Sequence, residues 1–242
     1  QERCLQDQAI KRQRIILRGG LVDMADVRGT FTKELALIQN DLITMGQLVT
    51  QALADAVEAL KTKNKDLADS VIAGDDKIDE MQVIIEDKTV ELIALQQPIA
   101  KDLRILSTAM KMTTDLERIG DHAKKIAKIA NRIGQDPLIK PLVDIPIAAQ
   151  MVQEMVKKVL KSYIELDVNA AAEVCIADDK VDEICDTCKR DILFYMMKDQ
   201  ANIEQGLDLN KVVQRIERIG DHATNLAEWV IYLVTGQRVP KK

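Results

Sequence analysis

The chain has 242 residues, of which 47% are hydrophobic and 30% charged, and Trp, Tyr and Phe together make up only 2%. This composition favours helices packed through aliphatic side chains over an aromatic-rich β-sandwich. The net charge of −5 argues against a general nucleic-acid-binding protein, whose footprint on phosphates is positive. No apolar run approaches the roughly 18 residues that a membrane-spanning helix needs.

The first stretch, QERCLQDQAIKRQRIILRGGLVD, has a basic middle but lacks the apolar core and the cleavage site of a signal peptide. Because a natural start would fit at Met24, we expect residues 1–25 to be an arm outside the fold, produced by upstream translation or by cloning. The four cysteines, Cys4, Cys175, Cys185 and Cys188, are too few and too clustered for a disulfide framework, which indicates the cytoplasm. The CxxC at Cys185 and Cys188 lies on a predicted helix without a second pair, so we interpret both as core residues.

From Phe31 onward, apolar residues recur at helical spacing. The pattern predicts six helices, at 30–62, 64–95, 99–133, 145–165, 167–199 and 206–235. The segment GQDPLIKPLVDIP at 134–146 cannot continue a helix because of its three prolines. We therefore predict an all-α fold of two tandem three-helix bundles, at residues 26–136 and 137–242.

The two halves repeat each other, which is typical of an internal duplication. AGDDKIDE at 73–80 corresponds to IADDKVDE at 176–183, and ERIGDHA occurs at both 117–123 and 217–223. Each half thus carries one acidic motif on its second helix and another on its third. Short connections between the helices favour antiparallel neighbours, so the two motifs of each half can meet.

Each motif places two carboxylates four residues apart, on one face of a helix. The pairs are Asp75 with Asp79, Glu117 with Asp121, Asp178 with Asp182, and Glu217 with Asp221. Like charges at this spacing destabilise a helix unless a cation neutralises them. Carboxylate oxygens suit Mg²⁺, Mn²⁺, Ca²⁺ or iron, with zinc as a further alternative. The sequence therefore predicts two metal sites, each with room for more than one ion.

A helical wheel puts Leu116, Ile119, Ala123, Ile126 and Ala130 on one stripe. Glu117 and Asp121 lie nearly opposite, so we expect the metal outside the bundle. Gly120 and Gly220 lie between the two faces, where a missing Cβ would let the third helix approach the second despite a cost of about 1 kcal/mol relative to Ala.

An outer site does not match a ferritin-like oxidase, whose Glu-x-x-His pairs face inward. His122 and His222 follow the aspartates and point about 100° away from them, so we expect them in surface or helix–helix hydrogen bonds. Arg118 and Arg218 either neutralise the acids or are solvated. Asn225 extends the second acidic face where the first half has Lys125, and Asp115 adds a carboxylate where the second half has Arg215. We predict no catalytic residues and no organic cofactor.

The duplicated LERIGDHAKKIA and IERIGDHATNLAEWVIYLVTG, with DDKID and DDKVD, resemble the PhoU family of phosphate-transport accessory and regulatory proteins. The resemblance covers roughly residues 31–239. It implies two three-helix bundles with multinuclear metal clusters on the surface, iron in some members. By position the ligands are Asp75, Asp79, Glu117, Asp121, Asp178, Asp182, Glu217 and Asp221, and Lys125 stands where the resemblance leads us to expect Asn.

The resemblance further implies a cytoplasmic negative regulator of the phosphate-starvation response, acting between a Pst-type importer and a PhoR-type sensor kinase. We expect no nucleic acid, a homodimer, and membrane contact only through these partners. An exposed metal–carboxylate patch could recruit an anionic ligand or a partner surface without turnover. Two alternatives remain: a metal-dependent hydrolase, since polynuclear sites activate water, and a helical scaffold with solvated acids.

Overall fold

A computed structural model describes residues 14–17 and 20–239 of the chain. Its six long helices are α1 (Met24–Thr62), α2 (Lys65–Gln96), α3 (Ala100–Ile133), α4 (Asp144–Glu165), α5 (Val168–Lys198) and α6 (Ile203–Thr235). A 3₁₀ turn, Gln200–Asn202, precedes α6. The all-α prediction and the number of long helices are confirmed.

The segment before the first helix contains an element that was not predicted. Strands β1 (Arg14–Leu17) and β2 (Gly20–Asp23) pair antiparallel, with Arg14 opposite Asp23. Helix α1 then begins at Met24 rather than at residue 30, so its first turn falls in the stretch assigned to the arm. Cys4 and the rest of residues 1–13 lie outside the described residues.

Local caps define the helix ends and keep the connections short. The Asn64 side chain accepts a hydrogen bond from the Leu67 N–H at 3.0 Å, and Asp167 caps α5 in the same way, which satisfies free donors at both N-termini. Helix α6 ends at Gly236, whose φ of 74° lies in the left-handed region that glycine adopts without strain. Tight turns at these ends fold each helix back on its neighbour.

Helices α3 and α6 lie side by side at the centre, where the two bundles meet. Arg132, at the end of α3, pairs with Asp208, near the start of α6, at 2.8 Å. At the other end Arg104 of α3 lies over the Tyr232 ring of α6, so the two helices run antiparallel. Helices α2 and α5 pack only on helices of their own half, which leaves their outer faces to solvent.

The apolar stripes of all six helices form one continuous core. The predicted stripe of α3 is confirmed, since Leu116, Ile119, Ala123, Ile126 and Ala130 are all buried. Each large aliphatic side chain buried in this way contributes about 1.5–3 kcal/mol to stability. Among the described residues, no helix is long and apolar enough to cross a bilayer.

The CxxC cysteines belong to this core, as predicted. Cys185 and Cys188 are almost fully buried on α5. Burial raises the pKa of the Cys185 thiol to about 12 and that of Cys188 to about 11, so neither forms the reactive thiolate at neutral pH.

Candidate metal centre

Each half of the chain brings four carboxylates together where its second and third helices touch. The first acidic cluster is Asp75 and Asp79 of α2 with Glu117 and Asp121 of α3. The second acidic cluster is Asp178 and Asp182 of α5 with Glu217 and Asp221 of α6.

Mutual repulsion shows how close these carboxylates lie. Burial and then the charges of Asp121, Asp79 and Asp75 raise the pKa of Glu117. In the second acidic cluster, burial and then the charges of Glu217 and Asp221 raise the pKa of Asp182. Both clusters therefore concentrate negative charge where two helices meet, which favours the approach of a cation.

The clusters do not lie wholly on the outside, which corrects the wheel-based expectation. Asp79, Asp182 and Asp221 are exposed, but Asp75 is only 4% exposed. The reason is the close packing of α2 on α3, which covers the inner carboxylate of the pair. The wheel describes an isolated helix and cannot show what a neighbouring helix covers.

The two motif glycines sit where the paired helices are in close contact, as predicted. A Cβ on Gly120 would lie 3.0 Å from Ile78 Cδ1 of α2. A Cβ on Gly220 would lie 2.6 Å from Asp178 Oδ1 of α5, closer than real Cβ contacts occur. Glycine at these positions therefore permits the approach that assembles each cluster.

Lysines pair with two of the four carboxylates of the first acidic cluster. Lys124 Nζ lies 2.5 Å from Asp75 Oδ2, and Lys125 Nζ lies 2.5 Å from Asp121 Oδ2. Burial by itself would raise the pKa of Asp121, but the hydrogen bond and charge of Lys125 lower it overall. Sequence reasoning noted Lys125 and missed Lys124, although the neutral Thr224 at the matching position of the second half was a signal for it.

The second acidic cluster keeps more of its charge. Asp178 Oδ1 is buried and makes no well-formed hydrogen bond among the described residues, although the Thr224 hydroxyl lies close enough to the carboxyl to lower its pKa slightly. Burial, followed by the charge of Asp182, raises the pKa of Asp178 to about 6. The close cation here is Lys189, 2.6 Å from Glu217 Oε2, and the sequence interpretation missed it because its counterpart in the first half is Glu86.

The arginines that follow the glutamates contribute less than the lysines. Arg118 Nε lies 3.4 Å from Glu117 Oε2, and Arg218 Nη1 lies 3.4 Å from Asp221 Oδ2. Both arginine side chains are more than half exposed, and exposed ion pairs contribute about 0–1 kcal/mol. Arg118 and Arg218 are therefore mainly solvated and do little to neutralise the acidic clusters.

The histidines join the two bundles instead of the clusters. His222 Nδ1 of α6 lies 2.9 Å from Asp115 Oδ1 of α3, the helix–helix hydrogen bond that was predicted. Asn225 donates to the same oxygen at 3.3 Å, so Asp115 and Asn225 belong to this interface and do not extend the acidic faces. The His122 ring packs 5.6 Å from that of His222, and burial, followed by the charge of His222, lowers the pKa of His122 to about 4.

The side-chain positions show which cluster fits a metal. Within the described part of the chain, no three His, Cys, Asp or Glu side chains are already arranged around a common cation position. In the first acidic cluster, Lys124 would have to move to admit an ion. The second acidic cluster fits better, because Asp178, unlike Asp75, makes no ion pair among the described residues and lies with three further carboxylates, a donor set that hard cations prefer.

The chain matches a known family model and proteins from distant bacteria. The PhoU domain model matches residues 42–130 and again residues 145–230. A "Phosphate-specific transport system accessory protein PhoU homolog" from Clostridium acetobutylicum is 38% identical over 213 residues, 88% of this chain and 97% of that protein. Another protein of the same name, from Aquifex aeolicus, is 41% identical over 86% of this chain and 94% of its own length.

Solved structures share the same architecture. The crystal structure of PhoU from Pseudomonas aeruginosa superposes with a TM-score of 0.82 at 37% identity, covering 86% of this chain and all of that one. The phosphate transport system regulatory protein PhoU from Streptococcus pneumoniae gives a TM-score of 0.81 at 28% identity, with 87% of this chain covered. The two matches to the domain model fall in the two helical halves, each with its own acidic cluster. The chain therefore belongs to the PhoU family.

Proposed function

We propose that this protein is a metal-binding regulatory adaptor in phosphate homeostasis. Its role is to repress phosphate uptake and the phosphate-starvation response through a Pst-type importer and a PhoR-type sensor kinase. The relatives are named accessory proteins of the phosphate-specific transport system, which supports the importer as a partner. The protein acts by binding and not by turnover, and it works as a homodimer beside its membrane partners.

The observation that carries the metal part of this proposal is the second acidic cluster. Asp178, Asp182, Glu217 and Asp221 would hold the metal, iron by resemblance to the family, or zinc, Mn, Mg or Ca. Burial and then repulsion among the carboxylates raise the pKa values of Asp178 and Asp182, and a bound cation would relieve the repulsion. A bound metal would supply open coordination positions at the protein surface, to which a phosphorylated or acidic partner group could bind.

The first acidic cluster has a different role in this proposal. Lys124 already pairs with Asp75, and Lys125 already pairs with Asp121. Asp75, Asp79, Glu117 and Asp121 therefore form a lysine-stabilised contact between α2 and α3. A metal binds there only after the Lys124 ammonium has moved away from Asp75.

A phosphate-regulated reporter tests the proposal in the native host. With phosphate in excess, a strain carrying the wild-type protein keeps the reporter repressed. We expect Glu217→Ala with Asp221→Ala to release repression, as should the quadruple variant that adds Glu117→Ala and Asp121→Ala. Release occurs because the metal that binds the partner is lost.

A matched control separates the clusters from general loss of acidic charge. Glu91, Asp136, Glu165 and Glu204 are exposed and lie outside both clusters, and their combined change to Ala should leave repression intact. Normal repression by the quadruple cluster variant, with wild-type protein levels, contradicts the proposal.

A further inference from the structure

The interface between α3 and α6 contains two sets of polar residues that correspond to each other in the duplication. Because ERIGDHA occurs at 117–123 and 217–223, corresponding residues lie 100 positions apart in this part of the chain. The first polar set is Asp115 of α3 with His222 and Asn225 of α6. The second polar set, at the corresponding positions, is Arg215 of α6 with His122 and Lys125 of α3.

In the first polar set, one carboxylate serves both of the other side chains. Asp115 Oδ1 lies 2.9 Å from His222 Nδ1 and 3.3 Å from Asn225 Nδ2. An acceptor between two donors satisfies all three groups and joins the two helices. The first polar set is therefore complete without a ligand.

The second polar set contains donors and no carboxylate. Arg215 stands where the first set has its aspartate, and Lys125 stands where it has its asparagine. His122 is 8% exposed, and its Nδ1 is buried without a hydrogen-bond partner among the described residues. Burial and then the positive charges of His222, Lys125 and Arg215 lower the pKa of His122. Two cations thus lie near an imidazole that has lost its acceptor.

Two contacts between the helices bracket these cations. On one side, Arg132 of α3 pairs with Asp208 of α6 at 2.8 Å. On the other side, the rings of the two histidines lie 5.6 Å apart. Lys125 lies between these contacts on α3, and Arg215 lies between them on α6. The antiparallel packing therefore brings Lys125 and Arg215 to the same level of the interface.

The fold supplies little negative charge to the second polar set. Arg215 makes no ion pair among the described residues. The ion pairs of arginine in that part of the chain are those of Arg118, Arg132 and Arg218. Lys125 pairs with Asp121 at 2.5 Å, but an ammonium group has three donors and can contact a second acceptor as well. Arg215 is partly buried and the Lys125 side chain is 40% exposed, so a small ligand can approach both from solvent.

We propose that Arg215, Lys125 and His122 bind inorganic phosphate. The anion takes the place that the Asp115 carboxylate has in the first polar set. The guanidinium of Arg215 can donate two parallel hydrogen bonds to a phosphate, the ammonium of Lys125 adds a further one, and His122 donates from Nδ1. Because Nδ1 is covered, the anion enters with a shift of the long arginine and lysine side chains.

The charges favour a phosphate over the other acceptors that could fill this place. A water molecule could accept a hydrogen bond from His122, but it would not neutralise two cations. A carboxylate carries one negative charge, whereas two cations attract a dianion more strongly. The site is also separate from the four carboxylates of either acidic cluster, so it needs no metal.

The chain contains its own probe for this site. Its two histidines, His122 and His222, are the only ones in the sequence, so ¹⁵N-histidine labelling follows the two imidazole rings separately by NMR. The full-length protein is freed of metal on a chelating resin and titrated with inorganic phosphate or acetate at constant pH and ionic strength. Removal of metal prevents phosphate from binding through an ion at an acidic cluster.

We expect phosphate to shift the His122 ring signals saturably, and acetate to bind at least about tenfold more weakly because of its single charge. Arg215→Gln should weaken phosphate binding at least about tenfold, the effect of losing a bidentate charge-assisted contact. Arg215→Asp supplies the carboxylate of the first polar set and should abolish binding. Arg190→Gln is the matched control, since Arg190 is an exposed arginine of α5, and it should leave binding unchanged.

Circular dichroism verifies that each variant is folded, and titration calorimetry of the wild-type protein repeats the affinity without NMR. Three results each overturn the proposal: no saturable shift of His122 with phosphate, acetate binding as tight as phosphate binding, or full phosphate affinity in Arg215→Gln. None of them bears on metal content or on repression, so failure here is distinct from failure of the proposed function.

Discussion

Asp178 Oδ1 lies directly against Gly220, so close that a Cβ on the glycine would come within 2.6 Å of this oxygen. The contact joins α5 to α6 at the second acidic cluster. It buries an oxygen that makes no well-formed hydrogen bond among the described residues, with the Thr224 hydroxyl beside the carboxyl. A glycine in a helix interior is unfavourable by about 1 kcal/mol relative to Ala. Here the glycine leaves the space that the carboxylate of Asp178, a candidate metal ligand, occupies.

Gly220→Ala should lower metal content, because the new methyl group displaces the Asp178 carboxylate. Gly74→Ala is the matched control, since Gly74 lies inside α2 with no atom within 4 Å of the position of its Cβ. The control should stabilise the protein by about 0.5–1 kcal/mol and leave metal content unchanged. Elemental analysis and urea unfolding measure both effects. Equal metal content in Gly220→Ala and wild type contradicts the role assigned to this glycine.

In the metal-free protein, the contribution of Asp178 to stability should fall as pH rises from about 4 to about 6. Asp178 has a pKa of about 6 in the folded chain and about 3.9 in an unfolded one. The folded state thus binds more protons in this window, so ionisation of Asp178 destabilises the fold, by at most about 3 kcal/mol. Above the folded pKa this contribution is constant.

Asp178→Asn isolates this contribution from those of the other acids. The difference in unfolding free energy between the metal-free wild type and this variant should change between pH 4.5 and 7, with the wild type losing more. Urea unfolding at the two pH values gives that difference. A difference that is independent of pH shows that Asp178 has an ordinary pKa.

Lys124→Thr with Lys125→Asn gives the first acidic cluster the residues found at Thr224 and Asn225. The metal-free variant should be less stable by about 2–3 kcal/mol, because Asp75 is left buried without its cation. It should also bind additional metal, and the metal should restore stability. Thermal unfolding with and without Mn²⁺ measures the loss of stability and its recovery. If the variant binds no additional metal, the two lysines do not prevent cation binding at the first acidic cluster.

Asp208 should matter less to stability than the cations around it. This carboxylate is 4% exposed and pairs with Arg132 and Lys211, at 2.8 Å and 2.9 Å. Arg132→Ala with Lys211→Ala leaves a buried charge unpaired, which costs about 2–3 kcal/mol. Asp208→Asn leaves two cations that are about half exposed, so we expect a loss of less than about 1 kcal/mol.

Urea unfolding midpoints with unchanged m-values measure both losses. A larger loss of stability in Asp208→Asn than in the double variant would falsify this prediction. That result would mean that the ion pairs of Asp208 stabilise the fold by more than an unpaired buried carboxylate destabilises it.

Periodicity in the sequence was sufficient to predict the six helices and their duplication, because both depend on local patterns. The stripe from Leu116 to Ala130, the core cysteines and the close approach at Gly120 and Gly220 followed from helical geometry alone. The start of α1 at Met24 was missed because helical spacing was followed only from Phe31 onward, although Asp23 is a residue type that often caps a helix. The β1–β2 hairpin was missed because the segment had been excluded from the fold.

The composition of each acidic cluster was only partly predictable. Four carboxylates per half could be named because a helix places residues four apart on one face. Lys189 was not named, since it reaches Glu217 from another helix and its counterpart in the repeat is Glu86, which carries the opposite charge. The burial of Asp75 likewise depends on how α2 packs against α3, which no pattern within one helix contains.

Metal content after purification without chelator tests the central claim most directly. The wild type should contain at least about one equivalent of metal, and anomalous scattering from a crystal should locate it at Asp178, Asp182, Glu217 and Asp221. Asp75→Asn with Asp121→Asn should retain that metal, whereas Asp178→Asn with Asp221→Asn should lose it. Less than one equivalent in the wild type, or full retention after the change of Asp178 and Asp221, contradicts the claim.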